Sequence, residues 1–346
     1  MIGADFNVIK VSLALDNNHS CEETLVKKWM MVLFSAFCLS TGSVWAQEWP
    51  NRPVKLIVPY PAGGGVDVMA RALAQRLQDK WQQPITIDNR PGANTLIGTE
   101  AVAKASDNHT LLFTTDATFT INPHLYNKLP YDAEKDFAPV TQLVAFSQML
   151  VANANLPANN LKELLALAKE KPASLSYASY GPGSQPQLAT EMLKQKAGVF
   201  IVHIPYRGIP QAVTAVVSGE VPLTWSGIVS ARAHIASKRI KPLAYGGKTR
   251  VSAYPDVPTM SELGFPEVDA NVWVGVFAPA SFAPALVGRM HRDILAVISD
   301  PDFRSKEIEG KSYDFVGAGP DEFRRHIRSE SASRRTTIKA SGTTLD

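Results

Sequence analysis

Cysteine is nearly absent. Cys21 and Cys38 are the two in 346 residues, which excludes a disulfide scaffold and a multi-cysteine metal site. Charge of one sign is lacking too. Lys+Arg number 35 against 32 Asp+Glu, net +3, so there is no basic field of the kind that nucleic-acid binding needs. Low-complexity tracts and short-period repeats are missing. What remains is a globular composition, 45% apolar and 19% charged, and a length that fits two domains of about 150 residues each.

Enzyme signatures are also missing. Gly63-Gly64-Gly65 lacks the third glycine of a dinucleotide fingerprint, because position 68 is Val68. Gly246-Gly247-Lys248-Thr249 mimics the end of a phosphate-binding loop, but Pro242 stands where its first glycine belongs. No G-x-S-x-G elbow occurs. His109, His124, His203, His234, His291 and His326 are scattered, with no H-x-x-x-H or H-E-x-x-H pair, so no metal site is expected. No cofactor and no catalytic residue are expected either. These absences lower the case for an enzyme without excluding one.

Residues 27–46 carry Lys27 and Lys28, an apolar run from Met30 to Leu39, and Val44-Trp45-Ala46. Basic flank, apolar core and small-x-small site in that order predict a secretory signal peptide cleaved after Ala46. The apolar run is about half the ~20 residues of a transmembrane helix. Phe37 stands where a lipobox before Cys38 needs Gly or Ala, which argues against lipidation. Residues 1–46 are therefore an N-terminal extension and signal peptide. Removing them takes away three Lys (Lys10, Lys27, Lys28), four acids (Asp5, Asp16, Glu22, Glu23) and both cysteines. That leaves 32 basic and 28 acidic side chains, net +4. A thiol-free chain of about 300 residues suits an oxidising compartment and can bury a full core without staples.

The mature chain repeats strand, glycine-rich loop, helix. Val54 to Val58 is a strand; Pro59-Tyr60-Pro61-Ala62-Gly63-Gly64-Gly65 breaks it. Met69, Leu73, Leu77 and Trp81 then form one helix stripe. Ile85-Thr86-Ile87 and Thr110 to Thr114 are strands, the latter followed by a loop at Thr115-Asp116. Ser174 to Ser179, including Tyr177, leads into Tyr180-Gly181-Pro182-Gly183-Ser184 and a helix with Leu188, Met192 and Leu193 on one face. Phe200 to Ile204 leads into Pro205-Tyr206-Arg207-Gly208 and a helix with Val213, Val216 and Val217. Leu223 to Ser226 and Lys241 to Tyr245 are further strands. This alternation predicts α/β architecture with mostly parallel sheets flanked by helices, and ligands bound beyond the carboxyl ends of the strands. Long extended runs at 137–156 and 265–280 suit two crossings between domains. The expected division is 47–147 plus 271–346 as a discontinuous first domain and 148–270 as the second, with the ligand cleft between them.

Two loops, 59–67 and 179–187, are rich in Gly, Ser and Tyr and open helices. A helix start offers unpaired N–H groups and a partial positive charge, and glycine lets a ligand approach them. Facing each other, such loops would grip an anion. For Asp67, in a first helical turn, capping stands beside holding a water or a ligand donor. For Arg207, a plain surface position stands beside pairing with a carboxylate.

These residues resemble the Bug family, the substrate-binding proteins of tripartite tricarboxylate transporters. The resemblance rests on Trp49-Pro50-x-Arg52-Pro53, Val58-Pro59-Tyr60-Pro61-Ala62-Gly63-Gly64-x-x-Asp67 and Asn89-Arg90-Pro91-Gly92-Ala93. It continues through Tyr131-Asp132, Asp136-Phe137-Ala138-Pro139-Val140 and Gly181-x-Gly183-Ser184. It closes with His203-x-Pro205-Tyr206-Arg207-Gly208 and Pro255-Asp256-Val257-Pro258-Thr259-x-x-Glu262-x-Gly264.

The resemblance implies a periplasmic two-domain clamshell of the periplasmic-binding-protein kind, a Venus flytrap. A small carboxylate would be held between the domains by loop N–H groups and ordered waters and delivered to the membrane subunits of a tripartite tricarboxylate-type transporter. Candidate ligand-binding positions are Tyr60, Ala62, Gly63, Gly64, Asp67, Thr115, Ser147, Tyr177, Ser179, Gly181, Gly183, Ser184, Tyr206 and Ser226. A monomer is expected, with no nucleic-acid partner. A sensor ectodomain as the membrane partner, and a secreted two-domain enzyme working in the same cleft, stay open. The chain departs from the family at Asn94-Thr95-Leu96, at Gln187 where His is usual, and at Pro222 and Ser226 where Asp is common. Ser226 removes a negative charge that could pair with a ligand amine, which tilts the expectation toward a non-amino carboxylate.

Overall fold

Strand β1 (Val54–Val58) alternates Leu56 and Val58 on one face with Ile57 on the other, and all three are buried. A strand whose two faces are both covered reads as a continuous apolar run, because helices pack on each side. The computed structural model describes residues 49–341. The expected extension, signal peptide and both cysteines lie outside them.

The first sheet has the order β11-β4-β10-β3-β1-β2. Its members besides β1 are β2 (Ile85–Asn89), β3 (Thr110–Thr115), β4 (Phe137–Ser147), β10 (Asn271–Pro279) and β11 (Asp314–Ala318). Leu56 and Val58 pack with Met69, Leu73 and Leu77 of helix α1 (Gly65–Trp81) and with Met290 and Ile294 of a later helix, Pro284–Ile298. Ile57 and Leu112 face the other way, toward Phe119, Trp273, Phe277 and Phe323. Helix α1 ends where Gln82 turns left-handed, φ 52°, two residues before Pro84. Helix α2 (Leu96–Ala103) follows β2.

The second sheet has the order β7-β6-β8-β5-β9: β5 (Met149–Asn153), β6 (Ser176–Ser179), β7 (Val202–Pro205), β8 (Leu223–Ser226) and β9 (Ile240–Tyr245). Leu150, Tyr177 and Trp225 pack against α3 (Leu161–Glu170) and α4 (Gln185–Ala197). Met149, Val151 and Ala178 pack against α5 (Ile209–Ser218) and α6 (Ile228–Ala236). Helices α7 (Pro284–Ile298) and α8 (Pro320–Ser341) come last.

Both sheets are mixed, which corrects the expectation of mostly parallel ones. The strand–helix–strand units give parallel pairs, β1 with β2 and β3, and β6 with β7 and β8. The strands that carry the chain between the sheets run against them: β10 pairs antiparallel with β3 and β4, and β5 with β8 and β9. β4 carries the chain out of the first sheet and β10 carries it back in, so these two neighbours run in opposite directions.

The crossing is narrow. Gln148 alone separates β4 from β5. Its N–H donates to Ala270 O at 3.0 Å, and its carbonyl accepts from Gly246 N at 2.9 Å. A Cβ on Gly246 would lie 2.4 Å from Ala270 Cβ, so only glycine lets the two returning segments lie this close. The Gly246-Gly247 pair that mimics a phosphate loop thus belongs to the crossing.

Candidate functional site

A cavity of about 1000 Å³ opens between the two sheets. Its wall comes from the loops that follow β1 (Pro59–Val66), β2 (Pro91–Thr95), β6 (Tyr180–Pro182) and β7 (Pro205–Gln211). All four leave the carboxyl ends of parallel strands, the position where α/β sheets hold ligands.

The loop after β1 is built around Asp67, which is 2% exposed. Gly63 N and Arg71 Nε each donate to Asp67 Oδ2 at 2.9 Å, and Asn89 Nδ2 donates to Oδ1 at 2.9 Å. Burial pushes this carboxyl upward, but the bonds from Arg71, Gly63 and Asn89 more than offset it and hold the pKa below the ordinary aspartate value. Gly63 is left-handed, φ +81°. Gly64 is the N-cap of α1 and supplies no side-chain cap, so the first-turn N–H groups at the cavity wall have no side chain to accept from them. The loop after β7 also ends in a glycine N-cap, Gly208 of α5, with no side-chain cap, but Pro210 in that first turn has no N–H to offer.

The wall around these helix starts is mostly apolar and aromatic. Tyr60, Tyr126, Tyr180 and Tyr206 contribute rings. Tyr60 Oη lies 2.7 Å from Thr115 Oγ1, and Tyr206 Oη donates to Glu220 Oε1 at 2.8 Å. Burial pushes the Tyr60 and Tyr180 hydroxyls well above the usual tyrosine range, so both stay protonated. Among the described residues lining the cavity, Arg207 is the one charged side chain.

Of the candidate positions, Tyr60, Gly64, Gly181 and Tyr206 line this cavity together. Ala62, Gly63 and Asp67 lie in the same loop without lining it; Asp67 organises the loop from behind. Thr115 stands behind Tyr60. Ser179 and Ser184 shape the second loop. Ser179 Oγ accepts from Gly181 N at 3.1 Å and lies 2.6 Å from His203 Nε2, and Ser184 Oγ donates to Gly181 O at 2.6 Å. Gly183 N donates to Gln187 Oε1, so Gln187 takes one loop N–H for itself. Tyr177 is buried in the second core, its hydroxyl donating to Glu191 Oε1 at 2.8 Å and its ring stacked on His203 at 5.0 Å. Ser147 donates to Asn271 Oδ1 and lines a separate, more polar cavity of about 780 Å³, shared with Tyr245 and Glu330. Ser226 is buried and donates to Gly227 O at 3.1 Å.

The site also contains residues that sequence reasoning did not select. Tyr180 was visible in its loop but had no partner to mark it. The segment Ala93-Asn94-Thr95 is left-handed at three successive non-glycine residues, φ 44°, 46° and 79°, a conformation that costs roughly 1–2 kcal/mol per residue. Reciprocal bonds hold it: Asn94 Nδ2 to Asn122 Oδ1 at 2.6 Å and Asn122 Nδ2 to Asn94 O at 2.7 Å. The signal lies in Asn94-Thr95-Leu96, one of the places where the sequence departs from the pattern it otherwise resembles.

Two mixed sheets flanked by helices, with a cavity between them at the strand ends, define a periplasmic-binding-protein fold. A family model described as "Tripartite tricarboxylate transporter family receptor" matches residues 69–343, and the chain belongs to that family. It is 34% identical over 316 residues to "Protein BugT" of Bordetella pertussis, covering 90% of this chain and 96% of that one. Among solved structures it is similar to periplasmic binding protein BugD, with TM-score 0.81, 28% identity, and coverage of 86% of this chain and all of that one. It is also similar to R. palustris Rpa4515 with adipate, with TM-score 0.82, 29% identity and the same coverage. The family is one of solute-binding proteins. Among the described residues no helix is long and apolar enough to cross a membrane.

Proposed function

We propose that this protein is a periplasmic receptor that captures a small carboxylate in the cavity between the sheets and performs no chemistry on it. The observation that carries this reading is the pairing of two uncapped helix starts, at Gly64 and Gly208, with Arg207 as the charged lining side chain. First-turn N–H groups, helix dipoles and a guanidinium all favour an anion. Hydrogen bonds to a charged group contribute roughly 1.5–3 kcal/mol each. Three or four of them, some through ordered water, suffice for the ~8 kcal/mol of micromolar binding. The adipate bound to the similar R. palustris protein is a carboxylate of this size class.

In this reading residues 47–147 with 271–346 form one lobe and 148–270 the other. They close on the ligand by bending at Gln148, Gly246 and Ala270. The signal peptide delivers the chain to the periplasm, and the closed form docks on the membrane subunits of a tripartite tricarboxylate-type transporter. The loop positions Gly64 and Gly181, with Tyr60 and Tyr206, are the proposed ligand contacts. Ala62, Gly63, Asp67, Ser179, Gly183 and Ser184 shape the loops that present them.

The test is a thermal-shift and calorimetry screen against mono-, di- and tricarboxylates, with matched neutral amides and alcohols as controls. A ligand at a hundredfold excess over Kd stabilises the fold by about 2.7 kcal/mol. Shifts confined to carboxylates support the reading. Turnover of a bound acid, or shifts from neutral compounds alone, sinks it.

A further inference from the structure

The features of the cavity that favour an anion gather around one residue. A Cβ on Gly64 would lie 3.6 Å from Pro61 O, and a Cβ on Gly208 would lie 2.5 Å from Pro61 Cγ. Pro61 therefore touches the N-caps of both α1 and α5. Arg207 is the residue before Gly208. Gln211, in the first turn of α5, belongs to the same end, because its Oε1 is 3.0 Å from the Gly208 Cβ position. The remaining first-turn N–H groups, two helix dipoles and the guanidinium thus converge on one place. They suit a single anionic group rather than one at each end of a ligand.

The loop after β6 borders the same cavity but keeps its donors for itself. Gly181 N donates to Ser179 Oγ at 3.1 Å, Ser184 N to Gly181 O at 3.2 Å, and Gly183 N to Gln187 Oε1. Pro182 has no N–H. A second carboxylate at this loop would have to displace Gln187 or break the turn.

The rest of the wall presents rings rather than polar atoms. The hydroxyl of Tyr60 lies 2.7 Å from Thr115 Oγ1, that of Tyr180 lies 3.4 Å from Gln148 Nε2, and that of Tyr206 donates to Glu220 Oε1 at 2.8 Å. Thr115, Gln148 and Glu220 do not line the cavity, so these hydroxyls turn away from it. Asn94 Nδ2 donates to Asn122 Oδ1 at 2.6 Å and Thr95 Oγ1 lies 2.9 Å from Thr118 Oγ1, again behind the wall. Tyr126, Pro59 and Pro91 complete this side. A volume of about 1000 Å³ is at the upper end of the ~300–1,000 Å³ of small-molecule sites and leaves room for a ring beyond the carboxylate. Aromatic rings pair with an aromatic wall edge-on or offset. A carboxylate against that wall would lose its hydration with no donor to replace it.

We infer that the ligand is an aromatic monocarboxylate, its carboxylate seated beside Pro61 at the starts of α1 and α5 and its ring against Tyr60, Tyr126 and Tyr180. The inference rests on the carboxylate reading above and narrows it. A linear dicarboxylate would place its second charge on the aromatic wall and is selected against.

The experiment is calorimetry on the purified protein at pH 7.5. The probes are phenylacetate and 3-phenylpropanoate, the aliphatic acids pentanoate and hexanoate, and the dicarboxylates glutarate and adipate. The two aryl acids bind at least tenfold more tightly than the other four. Tyr180→Ala lowers aryl-acid affinity at least tenfold and hexanoate affinity less than threefold; Tyr126→Leu gives the same split by a second route if the first variant does not fold. Tightest binding by a dicarboxylate, hexanoate binding as tightly as the aryl acids, or equal loss for every probe in the ring variants overturns the aromatic assignment and leaves carboxylate capture standing. Failure of every acid to bind overturns both.

Discussion

Asn89 Nδ2 donates to Asp67 Oδ1 at 2.9 Å and to Tyr60 O at 3.1 Å. One amide at the end of β2 thus ties the first turn of α1 to the loop that lines the cavity. Asp67 is the acceptor at the centre of that knot, bonded also by Gly63 N and Arg71 Nε. Asp67→Ala takes the acceptor from Gly63 N–H and Arg71 Nε and one of the two from Asn89 Nδ2, at a cost of roughly 2–3 kcal/mol. Urea denaturation should show that loss, and ligand affinity should fall with it because the loop loses its shape. Unchanged stability with lost binding would instead place the Asp67 carboxylate on the ligand.

The same carboxylate makes a pH prediction. Its folded pKa lies below the ordinary value of 3.8, so the folded form binds the proton less readily than the unfolded form. The stabilisation is fully present above about pH 4–5 and is lost as pH falls through the lowered folded value. Asp67→Asn should flatten the acid limb of the stability curve between pH 4 and 2. A wild-type curve with the same slope as the variant there would refute the assignment.

Gly64 has an ordinary extended conformation, φ −75°, and a Cβ there would meet only Pro61 O at 3.6 Å. Gly64→Ala should therefore leave the melting temperature within a degree or two. Gly64→Leu should keep the fold while blocking the uncapped start of α1, reducing carboxylate affinity by more than about a hundredfold, ~2.7 kcal/mol. Gly63→Ala acts differently: its left-handed φ of +81° costs a non-glycine residue roughly 1–2 kcal/mol of fold stability. Full carboxylate affinity in Gly64→Leu would show that the ligand does not approach this helix start.

Much of this arrangement was legible in the residues. The stripe Met69, Leu73, Leu77, Trp81 and the flanking apolar strands fixed β1, α1 and β2, because periodicity is local. Strand direction was not legible, since Val274 and Val276 of β10 carry the same apolar pattern whether they run with β3 or against it. Nor was the side of the sheet on which a strand residue falls when both sides are covered. Tyr177 is one such residue: a ligand candidate by sequence, it bonds Glu191 in the core. Gly246 and Asp116 were opaque for a further reason. Their roles depend on Ala270 and Arg334, contacts far along the chain that no spacing rule reports.

Arg207 is exposed at the cavity wall, so its attraction for an anion is screened by salt. Arg207→Gln should weaken carboxylate binding about three- to tenfold, roughly 1 kcal/mol. It should also reduce the dependence of Kd on sodium chloride between about 20 and 500 mM, while neutral controls are unaffected. An identical salt slope in wild type and variant would remove Arg207 from the site.

Asp116 should make the unliganded protein less stable as pH rises, the opposite of Asp67. It faces Arg334 and Glu330 from α8, Asp269 from the segment before β10, and the Tyr60 and Tyr180 hydroxyls from the two loops. Its folded pKa of about 8 exceeds the ordinary 3.8, so between those values the folded form holds a proton that the unfolded form has released. Stability attributable to this group is complete below about pH 4 and declines through pH 8. Asp116→Asn, which cannot ionise, should be the more stable protein at pH 8, and the gap should close toward pH 4. Wild type and Asp116→Asn melting alike from pH 4 to 8 would mean that Arg334 already neutralises Asp116 in the folded chain.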